Sequence, residues 1–412
     1  MRNSLGPLLR RATVGGLALV SIWTPGGALA AGAPPSAEAE SVPFAQRYHA
    51  RQHGGIVRAA NAAVSCRTAP TTRADAAVPA VSAVPAVPVA PAVSAVSAVS
   101  AVPAVPVAPA VSAVRALWAA PDCPAVREGQ AAVNGDFDMF YVDVDSDPNT
   151  YNSSQAEVRL PGGAQVTYAR LYWGGNLRVG EQKPPEDNGR VLIAEPGGQY
   201  KEVLADTLVG HRVNQSADAF QASADVTGLV RSSGQGLYTV AQINVAMGRS
   251  TAGAWGGWTL VVVYENPAEP LRDLSLWDGF GPLGAGAGHE LRLRELDIPQ
   301  GAYGRVGLVA YDGDCGRSGD SLTLSSDSGA ASTLTNAVNP ADDVLNSTIS
   351  EPGEAPAARV PAYVNTLGYD SDVFDLGEGL RRGGDQLTVR LVSHRDAAWA
   401  GALFVAVDTR TN

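Results

Sequence analysis

The chain has 412 residues, of which 45% are hydrophobic and 17% charged, and it carries a formal net charge of −11. That acidic balance argues against nucleic acid and anionic lipid as partners, because both would be repelled by the surface field. Lys183 and Lys201 are the only lysines among 30 basic residues, a skew that reads as coding bias and not as function.

Residues 1–30 read as a cleavable signal peptide. Arg2, Arg10 and Arg11 make a positive leader, Val14 to Trp23 is uncharged and largely apolar, and Ala28-Leu29-Ala30 sets small residues before Ala31. The apolar run is shorter than the roughly 20 residues that span a bilayer, so no transmembrane segment is expected after cleavage. Arg10-Arg11 is followed by Ala12-Thr13-Val14, without the bulky apolar pair of a twin-arginine signal, which favours the general secretory route. Removing the three leader arginines moves the net charge from −11 to −14. The expected location is therefore outside the cell, either free or associated with the cell wall. In that oxidising setting the cysteines Cys66, Cys123 and Cys315 make one disulfide and one leftover thiol. Cys66 with Cys123 closes a loop around a low-complexity tract; Cys123 with Cys315 is equally compatible with the spacing.

Residues 31–130 read as a disordered spacer. No charge occurs from Ala76 to Val114, and the 17-residue string AVSAVPAVPVAPAVSAV at 80–96 recurs identically at 98–114. Frequent proline forbids helix and removes ladder donors, leaving an extended or disordered tract with nothing to build a core.

From about Ala131 short β-branched and aromatic runs alternate with Gly, Pro, Asn and Asp, as in Gln165–Trp173, Trp258–Tyr264, Val306–Tyr311 and Ala402–Val407. No segment holds a helical period over three turns. The expected class is all-β, in sandwich folds of jelly-roll or Ig-like size. An internal repeat divides the region. Pro161–Asn176 (PGGAQVTYARLYWGGN) aligns without gaps on Pro299–Asp314 (PQGAYGRVGLVAYDGD). A second block relates 225–240 to 375–389, and a third relates Ala254–Glu265 to Ala398–Asp408. Two tandem, related halves follow, at about 131–268 and 269–412, packed together so that neither leaves a sheet edge open.

The blocks Tyr151-Asn-Ser-Ser, Leu160-Pro-Gly-Gly-Ala, Ala169–Gly175 (ARLYWGG), Trp255–Glu265 (WGGWTLVVVYE), the Asp278-Gly-Phe280 turn and Gly319-Asp-Ser-Leu322 carry a resemblance. Residues 131–408 are similar to the N-terminal β-sandwich module of bacterial, including actinobacterial, secreted and cell-surface proteins, a module that often precedes Ig-like repeats. The resemblance implies location and fold more than activity. The family pattern continues into repeats and a wall-anchoring signal, whereas only Thr409-Arg410-Thr411-Asn412 follow Asp408 here. Release, or retention by non-covalent contact, is the expectation.

Four groups of residues invite a chemical reading. Asp143, Asp145, Asp147 and Asn149 set oxygens at alternate positions of one loop, as a hard cation such as calcium requires, although Pro148 and the lack of flanking helices exclude an EF-hand. Asp312, Asp314 and Asp320 form a second acidic group, with Asp370, Asp372 and Asp375 a third. The bland alternative is that aspartate simply favours turns. Trp173, Trp255, Trp258 and Trp399 could stack on sugars, but their recurrence between halves fits packing better. Gly319-Asp320-Ser321-Leu322 spells a serine-esterase motif, yet none of His49, His53, His211, His289 and His394 lies in the Asp-x-x-His context that such a serine needs, and the α/β setting is missing. Asp206 and His211 complete no triad with a nearby serine.

The sequence therefore favours a secreted, non-catalytic, surface-associated protein with an adhesive or envelope-structural role. Its partner would be an envelope or extracellular protein or glycan, it would need no cofactor, and calcium would be an optional ion. The second reading is an extracellular carbohydrate-binding or polysaccharide-acting protein.

Overall fold

The computed structural model describes residues 37–67, 122–214, 217–284, 288–327, 331–353 and 356–410, all within one compact unit. Residues 1–30, expected as a signal peptide, and the duplicated string at 80–114 lie outside the described residues.

The chain builds four β-layers. Two inner sheets form one continuous 11-stranded path, and each is covered on its far side by a smaller outer sheet. The first inner sheet carries Asp218–Asp225, Gln165–Asn176 and Gly256–Glu265 side by side. The second carries Leu271–Pro282, Trp399–Asp408, Gly304–Tyr311 and the short strands Tyr369–Asp370 and Val373–Asp375. The outer sheets run Ser153–Val158, Gly236–Ala241, Arg190–Ala194 in one half and Gly288–Ile298, Gly384–Ser393, Asp320–Ser326 in the other.

The 21-residue strand Val42–Ala62 joins the two inner sheets. Its first part pairs with the second sheet, from Val42 opposite Phe280 to His53 opposite Leu271. Its last part pairs with the first sheet, from Gly54 opposite Glu265 to Ala62 opposite Gly257. The switch falls at Gly54, whose φ of +136° only glycine adopts freely and where a Cβ would stand 2.1 Å from the Tyr264 carbonyl oxygen. A strand that changes sheets at such a point lets the two arms of the path face each other.

This crossing strand corrects the expected domain limits. Residues 42–62 are not spacer: they supply the first strand of half one, in the place that Leu271–Pro282 occupies in half two. Counted this way, both halves share one plan. Among the seven main strands of each half, the fifth in chain order neighbours the third, the third neighbours the last, and the last neighbours the first, while the remaining three form the body of the outer sheet, which short strands extend. Half one thus begins near Val42. Residues 68–121 are an insertion within it and not an N-terminal stalk. Cys66 and Cys123, joined by a disulfide with Cα atoms 5.7 Å apart, hold its two ends together. Cys315 is unpaired.

Burial explains the sequence patterns. Inner strands are covered on both faces, so they read as unbroken apolar runs: Gly257 to Tyr264 is buried throughout. Outer strands have one wet face and alternate, with Leu291 and Leu293 buried and Arg292 and Arg294 exposed. Each sandwich has its own core, one around Leu171, Trp173, Ile193 and Trp258, the other around Val306, Leu322, Val389 and Val405. A third core lies between the inner sheets and contains Tyr172, Trp255, Phe280, Tyr311, Tyr369 and Trp399. Polar groups lock this layer. Asp278 receives a forked contact from Arg47 and a hydrogen bond from the Tyr172 hydroxyl at 2.9 Å. The expected Asp278–Phe280 turn is in fact a register shift inside Leu271–Pro282.

Candidate functional site

The calcium reading of Asp143, Asp145, Asp147 and Asn149 is not matched by their geometry. Asp143 accepts from the Ser153 hydroxyl at 2.8 Å, and Asp145 accepts from the Asp147 amide at 2.8 Å and from the Tyr200 hydroxyl. Asp147 accepts from the Asn149 amide and side chain at 2.9 and 2.8 Å. The Asp145–Asp147 and Asp147–Asn149 bonds are those by which aspartate shapes its own turn, and among the described residues no three His, Cys, Asp or Glu side chains are placed to hold a metal ion.

The tryptophans are equally committed. Trp173, Trp255, Trp258 and Trp399 are all fully buried, which corrects their reading as a sugar-stacking platform. Trp173 donates to the Asn188 carbonyl and Trp258 to the Ser154 hydroxyl, both at 2.9 Å. Trp399 stacks on Phe280 at 5.2 Å between centroids. Repeat-related positions also differ in environment. Trp173 points into the first sandwich core opposite Trp258, whereas Tyr311 points into the layer between the inner sheets opposite Trp399. An odd shift in strand register turns a side chain to the other face, so gapless sequence alignment does not equate these two rings.

Asp312, Asp314 and Asp320 belong to a larger buried group with Asp370, Asp372 and Asp396, gathered from the loops at one end of half two. Asp312 accepts from the Asn134 side chain at 2.9 Å and Asp314 from its backbone amide at 3.1 Å, so half one contributes to the same cluster. Asp396 accepts from the Asp314 amide at 2.7 Å, Asp320 from the Leu345 amide at 2.5 Å, and Asp370 from the Thr348 amide at 3.1 Å. Asp372 accepts from the amide and hydroxyl of Ser350 at 2.8 and 2.6 Å. These donors leave a deficit. One oxygen each of Asp320, Asp343, Asp370 and Asp372 is buried without a partner. At Gly313 a Cβ would stand 2.4 Å from both that free Asp370 oxygen and the Leu345 carbonyl, so the bare glycine lets the two oxygens approach.

Burial is the main force on these carboxyls. It raises Asp314 and Asp320 to about 7 and Asp372 and Asp396 to about 6, with repulsion from neighbouring aspartates adding to the effect on Asp314, Asp320 and Asp396. Asp312 and Asp370 are pushed well above the carboxylate range for the same reasons. Arg317 pairs with Asp314 at 3.3 Å, and the rest of such a group reaches neutrality by holding protons or by binding a cation. Among the described residues, no group of three His, Cys, Asp or Glu side chains is placed to hold a metal ion. A cation here would therefore draw on the free oxygens of Asp320 and Asp370, backbone carbonyls such as that of Leu345, and water.

The remaining sequence signals are structural. Ser321 opens the outer strand Asp320–Ser326, opposite Val392. His211 bridges Glu38 at 2.8 Å and Asp218 at 2.6 Å, while Asp206 pairs with Arg170 at 2.5 Å. Asp343, Asp396, Asn134 and Leu345 join the acidic cluster without any sequence motif: they come from three separate stretches of the chain, around 134, 343–345 and 396.

No family model and no curated protein matches the chain. Among solved structures, the major capsid protein P2 from bacteriophage PM2 aligns at 14% identity over 65% of this chain and 97% of that one, with a TM-score of 0.18. The structure of Sulfolobus Turreted Icosahedral Virus aligns at 10% identity over 62% of this chain and 86% of that one, with a TM-score of 0.19. At such TM-scores the likenesses carry no argument about this protein.

Proposed function

We propose that the chain is a secreted, non-catalytic protein of the cell surface with an adhesive or envelope-structural role, and that its acidic loop cluster takes calcium as a structural ion. The observation that carries the location is the Cys66–Cys123 disulfide. Disulfides persist in oxidising compartments, and this one agrees with the signal-like residues 1–30 and with the motif resemblance to bacterial surface modules. No helix among the described residues is long and apolar enough to cross a membrane. The structural role is supported by the third core between the inner sheets, which welds two sandwiches into one stiff body. The calcium reading is supported by the partnerless carboxylate oxygens of Asp320 and Asp370.

Fractionation of the producing cell tests the location. The chain is expected outside the cytoplasm, beginning near Ala31, with Cys66 and Cys123 protected from thiol alkylation. A cytoplasmic chain with both thiols free overturns the proposal.

A further inference from the structure

A groove of about 480 Å³ opens where the crossing strand passes between the inner sheets. Arg58, Arg159, Arg272 and Arg305 line it against only two carboxylates, Glu269 and Glu351, in a chain that is otherwise acidic. Both halves contribute, and Tyr303 adds an exposed aromatic wall, while Tyr264 lies buried at the base with its hydroxyl on Glu269.

Three of these arginines are already neutralised. Arg159 contacts Glu157 at 2.7 Å. Arg272 contacts Glu269 at 2.7 Å and Asp408 at 3.0 Å, and Arg305 contacts Asp375 at 3.0 Å and Glu351 at 3.2 Å. Arg58 differs. It is only 6% exposed, makes no ion pair among the described residues, and donates from Nη2 to the Ser350 carbonyl while its buried Nε has no partner. A smaller adjoining cleft is lined by Arg58, Glu351 and a second guanidinium, Arg359, whose buried Nη1 is also without a partner. Burial lowers Arg359 to about 10 with the Arg58 charge adding to the effect, and burial lowers Arg58 despite attraction from Glu351 and Asp372. Packing does not explain this arrangement. A methionine would fill the Arg58 volume without a charge to desolvate, and a buried charge is costly until it is paired.

We propose that the groove binds a carboxylated sugar, a uronic-acid unit of an acidic polysaccharide, whose carboxylate pairs with Arg58 and whose ring lies against Tyr303. A planar guanidinium suits a carboxylate. Tyr303 offers an apolar body with a polar tip, and Glu269 and Glu351 can accept from sugar hydroxyls. The volume falls within the roughly 300–1,000 Å³ of small-ligand sites. Arg359 adds positive charge behind the carboxylate. This site goes beyond the structural role proposed above and does not depend on it.

Calorimetric titration of the full chain with galacturonate and mannuronate tetramers tests the inference, with the methyl-esterified tetramers as uncharged counterparts. At least one acidic tetramer is expected to bind, and its ester to bind at least tenfold more weakly. Arg58→Met and Tyr303→Ala are each expected to weaken binding at least tenfold, while Arg292→Gln on the outer strand leaves it unchanged. Without ligand, Arg58→Met should melt at or above the wild-type temperature, as a ligand-binding charge and not a structural one would. Tyr303, 43% exposed on the rim, provides the test should Arg58→Met fail to fold. Failure of both acidic tetramers to bind, equal affinity for the esters, or unchanged affinity in the variants that fold overturns the proposal. So does equally tight binding of inorganic phosphate or of an oligoglutamate peptide.

Discussion

The Tyr311 hydroxyl donates to the side-chain oxygen of Gln221 at 3.0 Å across the layer between the inner sheets. Gln221 in turn donates to the carbonyls of Gly279 at 2.9 Å and Gly401 at 3.1 Å, so one side chain from half one ties three strands of half two. Gln221→Leu leaves the tyrosine hydroxyl and both carbonyls unpaired in a dry interface. Each stranded group costs about 1–3 kcal/mol, so the three together are expected to cost at least about 3 kcal/mol in chemical denaturation. A loss below about 0.5 kcal/mol would mean that water replaces these bonds and the layer is not dry.

The acidic cluster sets a pH dependence. Carboxyls raised to about 6 and 7 in the folded chain bind more protons there than in the unfolded chain, where aspartate titrates near about 3.9. Their contribution to stability is complete at low pH and is lost as pH climbs through the folded values. The calcium-free protein should therefore melt lower at pH 7.5 than at pH 5, and millimolar calcium should recover much of the difference. If EDTA and calcium leave the pH 7.5 melting temperature alike, the cluster is held by protons and the ion is absent. Asp370→Asn should raise the calcium-free melting temperature at pH 7.5 by a few degrees, about 1 kcal/mol or more, and diminish the response to calcium.

His211 titrates in a higher window. Asp218 and Glu38 hold its imidazolium and raise it to about 9, against burial that lowers it. The sign is that of a base gaining partners: its contribution is full below about 6.5 and disappears as pH rises through 9. Because Glu38 belongs to the short strand Glu38–Ala39, which pairs with Val209–Val213, alkaline solution should loosen that N-terminal strand first. Amide exchange at Val209 should quicken between pH 7 and pH 9.5 after correction for intrinsic rates, and His211→Gln should abolish the change.

The insertion at 68–121 should be dispensable for folding, since the disulfide already joins its ends. Replacing it with a short Gly-Ser linker should leave the melting temperature within about two degrees, because closure entropy varies only slowly with loop length. Removing the bridge by Cys66→Ser with Cys123→Ser should cost about 4 kcal/mol for a loop whose ends lie 57 residues apart. Equal stability of the oxidised and reduced chains would show that the bridge constrains nothing.

Much of the fold is legible in the residues because it rests on local patterning. Runs such as Gly257–Tyr264 can satisfy their apolar side chains only as strands buried on both faces, and the alternation around Leu291 to Arg294 can only be a strand with one wet face. The duplication was visible for the same reason, since related strands repeat related patterns. The site was less legible. Asp312, Asp314 and Asp320 stood out by proximity in sequence, whereas Asn134, Asp343 and Asp396 carry no local sign of the cluster they join.

By itself, the sequence determined the all-β class and the doubling, because composition, period and repetition are properties of neighbouring residues. Only the tertiary structure decided three other matters. It placed Val42–Ala62 as the strand that stitches both inner sheets, since pairing depends on distant partners that a polar, weakly periodic segment does not announce. It buried the repeated tryptophans, since an odd step of register decides which layer a ring enters. And it brought Arg58 to a groove beside Arg359, two charges 301 positions apart that acquire a shared chemistry only where one strand crosses between sheets.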